Sequence, residues 1–333
     1  MLLYCAGSTD TQFSAEGETM KILLTMDLEK SLIDRIRALG TDVEVLNLPN
    51  QEQICKVIDQ VEIVLGGLDP QLYSDAANLR WIQFPSAGVD GSLTAEFVDS
   101  DVILTSAKGE VGVHLAEHAM ALLLAVTRGI GHAVRALNWT VKMDIRNRSW
   151  ELPGRVMGIV GLGGTGRELA IRATAFGMNV IAVDPESVNV PSCVDTCWGM
   201  GRFKHLLEQS DVVAICAPLT PETERMFDRE AFQHMQSHAL LINVTRGKIV
   251  DEHALMEALR SKTIGGAGLD VTPVEPLPRD HPLWQMENVV ITPHTAGASP
   301  ERNRRTVDLF CENLRRYRAG QPLMAVIDKA KGY

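Results

Sequence analysis

The stretch that most constrains the fold of this 333-residue chain runs from Val156 to Asp184. An apolar run, VMGIV, ends in Gly161-Leu162-Gly163-Gly164-Thr165-Gly166; the helix-like RELAIRATAFG follows, and a second apolar run, NVIAV, stops at Asp184. A lone G-x-G-x-x-G is a weak signal, because glycine-rich loops are common. Here it sits between a strand and a helix, and the acidic residue lies 18 positions after Gly166, close to the ~20 of a dinucleotide-binding fingerprint. Gly161 allows the tight turn, Gly163 lets the backbone approach a pyrophosphate, and Gly166 lets helix and strand pack closely. Gly164 and Thr165 open the helix, whose free N–H groups and positive dipole end face the phosphates. Asp184 is placed to accept hydrogen bonds from a ribose diol. No Arg follows it (the next residues are Pro185, Glu186 and Ser187), so a 2′-phosphate would meet only negative charge, and NAD rather than NADP is the expected cofactor.

The rest of the chain repeats the same alternation. KILLT (21–25), VEVLNL, VEIVLGG, LRWIQFPSAG (79–88) and VILTSAKG (102–109) read as strands, with helices at SLIDRIRALG (31–40) and QICKVIDQ between the first of them. AEHAMALLLAVTRGIGHAVRAL (116–137) reads as one long helix, apolar on nearly all sides and buried, in part against another subunit. NWTVKMDIRNRSWELPG reads as irregular. From Arg155 a second series begins, with strands in RVMGIVG, MNVIAVD, DVVAICAPLT, ALLINVTRG, GGAGLDV and NVVITPH, and SPERNRRTVDLFCENLRRYRAG (299–320) closes it as an amphipathic helix. Strands alternating with helices predict an α/β fold with doubly wound parallel sheets, Rossmann-like in both series.

Three loops at the ends of late strands carry the second signal: Asn243-Val244-Thr245-Arg246-Gly247, Asp270-Val271 with Glu275-Pro276, and Thr292-Pro293-His294. Each alone is bland. Together they place an Arg, a carboxylate and a His at successive strand ends, where the crevice of a parallel sheet forms. Histidine transfers protons near neutral pH, a carboxylate beside it stabilises the imidazolium charge, and Arg can clamp a substrate carboxylate while polarising a carbonyl.

With these loops in place, the chain resembles the D-isomer-specific 2-hydroxyacid dehydrogenases from about residue 80 to about residue 320. PSAGVD (85–90), VHLAEHAMALLLAVTR (113–128), CAPLTPET (216–223), NVTRGKIVDE (243–252), DVTPVEPLP (270–278) and HPLWQMENVVITPH (281–294) carry the resemblance, in the family's order. Gly164 and Thr165 stand where many members have a basic residue and Ile. The resemblance implies hydride transfer between NAD and a small D-2-hydroxy or 2-oxo acid of the glyoxylate, hydroxypyruvate or pyruvate type. By it, Arg246 orients the substrate, the backbone of Ala87, Gly88 and Val89 holds its carboxylate, and His294 is the acid/base with Glu275 as partner. It further implies that Ala217, Pro218, Val244, Thr245, Arg246, Asp270, His294 and Gly297 line the NAD site. It implies a discontinuous substrate domain (21–110 and 299–333) around an inserted NAD-binding domain (111–298), behind a tail at 1–20, and a homodimer formed by the cofactor domains. Two alternatives stay open: a phosphite-type dehydrogenase on the same fold, and an NAD-sensing corepressor-like scaffold. Glu275 argues against a formate enzyme, and a dinucleotide motif starting only at Gly161 argues against L-lactate and L-malate dehydrogenases.

Composition excludes other classes. Thirty-two Lys and Arg against 42 Asp and Glu leave a net charge of −10, which disfavours nucleic acid and anionic membranes as partners. The run Arg302, Arg304, Arg305, Arg315, Arg316, Arg318 reads as the solvated face of the last helix. A 45% hydrophobic content is ordinary for a folded chain. The six cysteines (Cys5, Cys55, Cys193, Cys197, Cys216, Cys311) are scattered and form no CxxC pair; Cys193 and Cys197 lack further ligands at zinc spacing, so no metal is expected. No apolar run reaches the ~20 residues of a membrane span, and a poor signal sequence makes the cytoplasm the expected compartment. His114 and His118 read as packed or dimer-facing.

Overall fold

The computed structural model describes residues 19–48 and 50–333; most of the expected tail at 1–20, and Cys5 with it, lies outside the described residues. The chain forms two compact α/β units, each built on a parallel sheet.

The first unit holds the described residues up to Pro85 with Gly91–Ala107 and Asn303–Lys329. Its strands are β1 (Met20–Leu24), β2 (Val43–Asn47), β3 (Ile63–Leu65), β4 (Trp81–Gln83) and β5 (Ile103–Thr105), in the order β2-β1-β3-β4-β5. Central β1 and β3 are apolar because both faces are covered. The helix Arg302–Arg318 returns to this sheet: Val307, Phe310, Leu314 and Tyr317 pack on Ile22, Leu24, Ile63, Leu65 and Trp81. Trp81 stacks on Phe310 at 5.0 Å between ring centroids, and its Nε1 donates to Thr105 Oγ1 at 2.8 Å. Burying side chains of this size contributes about 1.5–3 kcal/mol each. Gln83, fully buried, donates to Thr306 O at 3.1 Å and accepts from Asn313 Nδ2 at 3.1 Å. A buried amide left unpaired costs free energy, so these bonds fix the register of the returning helix.

The second unit holds Ser86–Asp90, Lys108–Arg302 and Ala330–Tyr333. Its strands are β6 (Val156–Val160), β7 (Asn179–Val183), β8 (Thr196–Trp198), β9 (Val212–Ile215), β10 (Leu240–Asn243), β11 (Gly266–Leu269) and β12 (Val289–Ile291), ordered β12-β11-β10-β9-β6-β7-β8. Pairings such as Val160↔Ile215, Ile215↔Asn243 and Leu269↔Ile291 bring the carboxyl ends of the strands level. The second unit takes in 86–90, 108–110, 299–302 and 330–333, which the expected division gave to the substrate domain. Polar contacts hold the first and last of these, Asp90 to Arg246 and Lys331 to Glu186.

Three local expectations are corrected. The helix expected over 116–137 is two, Gly112–Thr127 and Ile130–Ala136, bent by 67° at Gly129, whose φ is +64°. The first of these is largely packed within its own unit, with Ala116, Ala119 and Leu123 near Ile159, Leu169 and Ala170, while the second leaves Ile130 and Val134 exposed. The stretch expected to be irregular contains the helix Lys142–Arg148, held by Arg148 paired to Asp144 at 2.8 Å and to Glu287 at 3.1 Å. QICKVIDQ is reduced to the single turn Gln51–Ile54 followed by a 3₁₀ turn at Ile58–Gln60. The five cysteines among the described residues are free thiols.

Candidate active site

The loop after β6 is built by backbone. Gly161 has φ +95°, and a Cβ there would lie 2.9 Å from the nitrogen of Ala217, the half-turn that follows β9. A Cβ on Gly166 would lie 2.2 Å from Gly161 O, and one on Gly164 would lie 2.9 Å from Gly109 Cα. Side chains are therefore excluded at these positions by the protein itself. Gly163 differs: φ is −76°, a conformation any residue adopts, and a Cβ there would meet nothing within 4 Å. No side chain caps the helix Gly164–Ala175, so the amides of its first turn, Thr165 included, stay available to an anion. Asp184, 8% exposed, directly follows β7; one of its oxygens accepts from Leu162 N at 2.7 Å and the other from Glu186 N at 2.9 Å. Open space over Gly163, uncapped amides and a carboxylate tied to the glycine turn fit a dinucleotide lying across this edge.

The loops after β10, β11 and β12 are built by interlocked side chains instead. Asn243, 1% exposed, accepts from Thr245 N at 3.1 Å and donates to Arg246 O at 3.0 Å, closing the turn through Val244. Arg246 donates from Nε to Asp90 Oδ1 at 3.0 Å and from Nη1 to Thr245 O at 2.9 Å. A Cβ on Gly88 would fall 1.9 Å from Arg246 Nη2, so a side chain there would displace the guanidinium from its present position. The N–H groups of Ala87, Gly88 and Val89 find no acceptor among the described residues. Three such amides beside a guanidinium suit an anion, a carboxylate among them.

His294 Nδ1 and Glu275 Oε2 are 2.6 Å apart, and Glu275 Oε1 accepts from Thr272 N at 3.0 Å. Nε2 of His294 has no partner among the described residues, and the ring is half exposed. The backbone of His294 has φ +54°, a left-handed conformation that costs a non-glycine residue about 1–3 kcal/mol. Bonds from His294 N to Asp270 O at 2.8 Å and to Thr292 O at 3.1 Å hold it there.

Asp270, which the resemblance implies as an NAD contact, also fastens its own loop. Its side chain is fully buried, and it accepts from Thr292 Oγ1 at 2.6 Å, Thr295 N at 2.9 Å and Ala296 N at 2.8 Å. Burial alone would raise its carboxyl, but hydrogen bonds from His118, Thr292 and the two amides outweigh that and hold it below the ordinary carboxylate value. His118 is neither merely packed nor directed at a partner subunit: its Nε2 lies 2.7 Å from Thr292 Oγ1 and 3.3 Å from Asp270 Oδ1. Asp270 and His118 are thus positioning residues for the loop that carries His294. Beyond that loop a Cβ on Gly297 would meet nothing within 4 Å. Behind β9, burial pushes the Cys216 thiol up to about 12, so it is inert. Pro218 O accepts from Thr223 Oγ1 at 2.7 Å.

Sequence reasoning gave no role to Asp90 or His118, and named Asn243 and Thr292 only as members of their loops. Asn at a strand end is a readable turn signal. His118 carried none, since it acts across 174 residues.

The sequence profile of the "D-isomer specific 2-hydroxyacid dehydrogenase, NAD binding domain" matches residues 120–296. A glyoxylate reductase of Korarchaeum cryptofilum is 35% identical over 268 residues, covering 78% of this chain and 80% of that protein. A D-3-phosphoglycerate dehydrogenase of Archaeoglobus fulgidus is 31% identical over 93% of this chain and 59% of its own length. Among solved structures, an NADPH-dependent glyoxylate/hydroxypyruvate reductase of Sinorhizobium meliloti, in complex with NADP and sulfate, superposes with TM-score 0.80 at 26% identity, covering 94% of this chain and 100% of that one.

Proposed function

We propose that this chain, which belongs to the D-isomer specific 2-hydroxyacid dehydrogenase family and is an NAD-binding oxidoreductase, interconverts a small 2-oxo acid and the D-2-hydroxy acid. The observation that carries the reading is the His294–Glu275 pair at 2.6 Å, set two strands from an Arg246 whose guanidinium lies against Gly88. A glyoxylate- or hydroxypyruvate-type substrate is the choice that the named relatives favour.

When bound, the dinucleotide supplies the hydride to C2 of the oxo acid, or accepts it in reverse. Everything else falls to the chain. The amides of Ala87, Gly88 and Val89 and the guanidinium of Arg246 bind the carboxylate, and Arg246 also polarises the adjacent carbonyl. As charge develops on the C2 oxygen, protonated His294 gives it the proton from Nε2 and is left as neutral imidazole, to be reprotonated from solvent. Glu275 holds Nδ1, fixing the ring and balancing the imidazolium charge. Gly161, Gly163, Gly164, Thr165 and Gly166 would hold the pyrophosphate, and Asp184 the adenosine ribose, with NAD preferred over NADP. Ala217, Pro218, Val244, Thr245 and Gly297 would line the remainder.

The experiment is a screen of glyoxylate, hydroxypyruvate and pyruvate with NADH and NADPH, alongside phosphite with the oxidised cofactors. Oxidation of NADH by one of the oxo acids is expected. Turnover of phosphite alone, or of nothing while cofactor still binds, overturns the reading in favour of a phosphite enzyme or a scaffold.

The same reading includes a homodimer acting in the cytoplasm. It is supported by a run of exposed apolar side chains, Ile130, Val134, Leu137, Trp139 and Met143, on the segment after the Gly129 bend, a surface that monomers seldom leave bare. Light scattering that returned the mass of one chain would refute the dimer.

A further inference from the structure

Asp184 does not stand alone at the end of β7. Glu186 N donates to its Oδ1 at 2.9 Å, so the Glu186 carboxylate arises from the same turn. That second carboxylate is paired with residues almost one hundred and fifty positions away. Lys331 Nζ lies 2.7 Å from Glu186 Oε1, and Tyr333 OH donates to the same oxygen at 3.3 Å. Burial, then the charge of Glu186 and more weakly that of Asp184, push the Tyr333 phenol up, which sets the ring close enough to feel both carboxylates. The corner thus holds two anions and an ammonium on a half-exposed four-carbon stem.

We infer that Lys331, held by Glu186, sets how far the chain discriminates against a 2′-phosphorylated dinucleotide. The inference rests on the reading of Asp184 as the ribose ligand. Without Lys331, a 2′-phosphate carrying close to two negative charges would face Asp184 and Glu186 together, and its repulsion would be largest. With Lys331 in place the Glu186 charge is neutralised, and the ammonium, which carries three donors, can share one with a phosphate oxygen. NAD remains preferred because Asp184 is unchanged, while NADP becomes a usable second cofactor.

The test is the ratio of kcat/KM for NADPH to that for NADH, with equilibrium binding of each read by nicotinamide fluorescence so that it does not depend on turnover. Lys331→Met should lower the ratio ~3–10-fold, the size of a half-exposed charge-assisted contact. Glu186→Gln, which releases Lys331, should raise it. Asp184→Ala should raise it as well. If Asp184→Ala shifts the ratio and Lys331→Met leaves it within twofold, the inference on Lys331 falls while the ribose site stands. If neither moves it, the placement of the ribose is wrong and both fall. A drop in Lys331→Met without an effect of Asp184→Ala would overturn Asp184 as the ribose ligand and leave Lys331 as the discriminating group.

Discussion

Two edges of one sheet in the second unit are built by opposite means. After β6 and β7 the site is mostly backbone: glycines that exclude Cβ atoms, an open position at Gly163 and uncapped amides. After β10, β11 and β12 it is mostly side chain: Asn243 closing one turn, and Asp270 with Thr292 and His118 fastening another. The difference follows from the ligands. A pyrophosphate is met by several N–H dipoles at once and needs room, whereas a proton must leave from one atom in one orientation, which requires a ring locked by its neighbours.

The strongest way to break this contrast is at the reacting atom. His294→Ala should lower kcat ~10²–10⁴-fold with the best oxo acid while leaving NADH binding largely intact; near-normal turnover would remove His294 from the mechanism. On the backbone edge, Gly163→Val introduces a side chain where the protein offers no obstacle. Its thermal midpoint should stay near wild type while NADH affinity falls about tenfold or more, as overpacking by 1–3 kcal/mol implies. A fall in stability with unchanged affinity would mean that the loop serves the fold rather than the ligand.

The smallest effect concerns the locked edge. The Asp270 carboxyl lies below its ordinary range when folded, so its stabilisation is complete above the unfolded value of ~3.9 and is lost as pH falls through the lower, folded value. Asp270→Asn should therefore be less stable than wild type at neutral pH by about 1.5–3 kcal/mol and should show a flatter loss of thermal midpoint on acidification. It should also lower kcat through His294. Equal acid limbs in both proteins would show that the carboxylate does not position the loop.

Much of this arrangement was legible beforehand. Strand, glycine turn, helix and Asp184 follow each other within one βαβ unit, so short-range spacing carries them. Arg246, Glu275 and His294 were legible for a related reason: each follows an apolar strand, and parallel strands deliver their ends to one edge. The failures fall where partners are distant. The Gly129 bend looked like continuous helix because apolar periodicity runs through Gly129, and only the packing of Ile145 against it reveals the turn. Asp270 read only as a ligand contact, and its bonds to Thr292, Thr295 and Ala296 became visible only in the folded chain.

Sequence by itself therefore determined the class of fold, the dinucleotide turn and the types of residue at the strand ends, since those depend on local periodicity and on what glycine alone can do. Tertiary structure decided which polar groups meet. Asp270 with His118, Gln83 with Thr306 and Asn313, and Glu186 with Lys331 join segments far apart in the chain. Burying or half-burying such groups requires partners, and only the folded chain determines which ones are within reach.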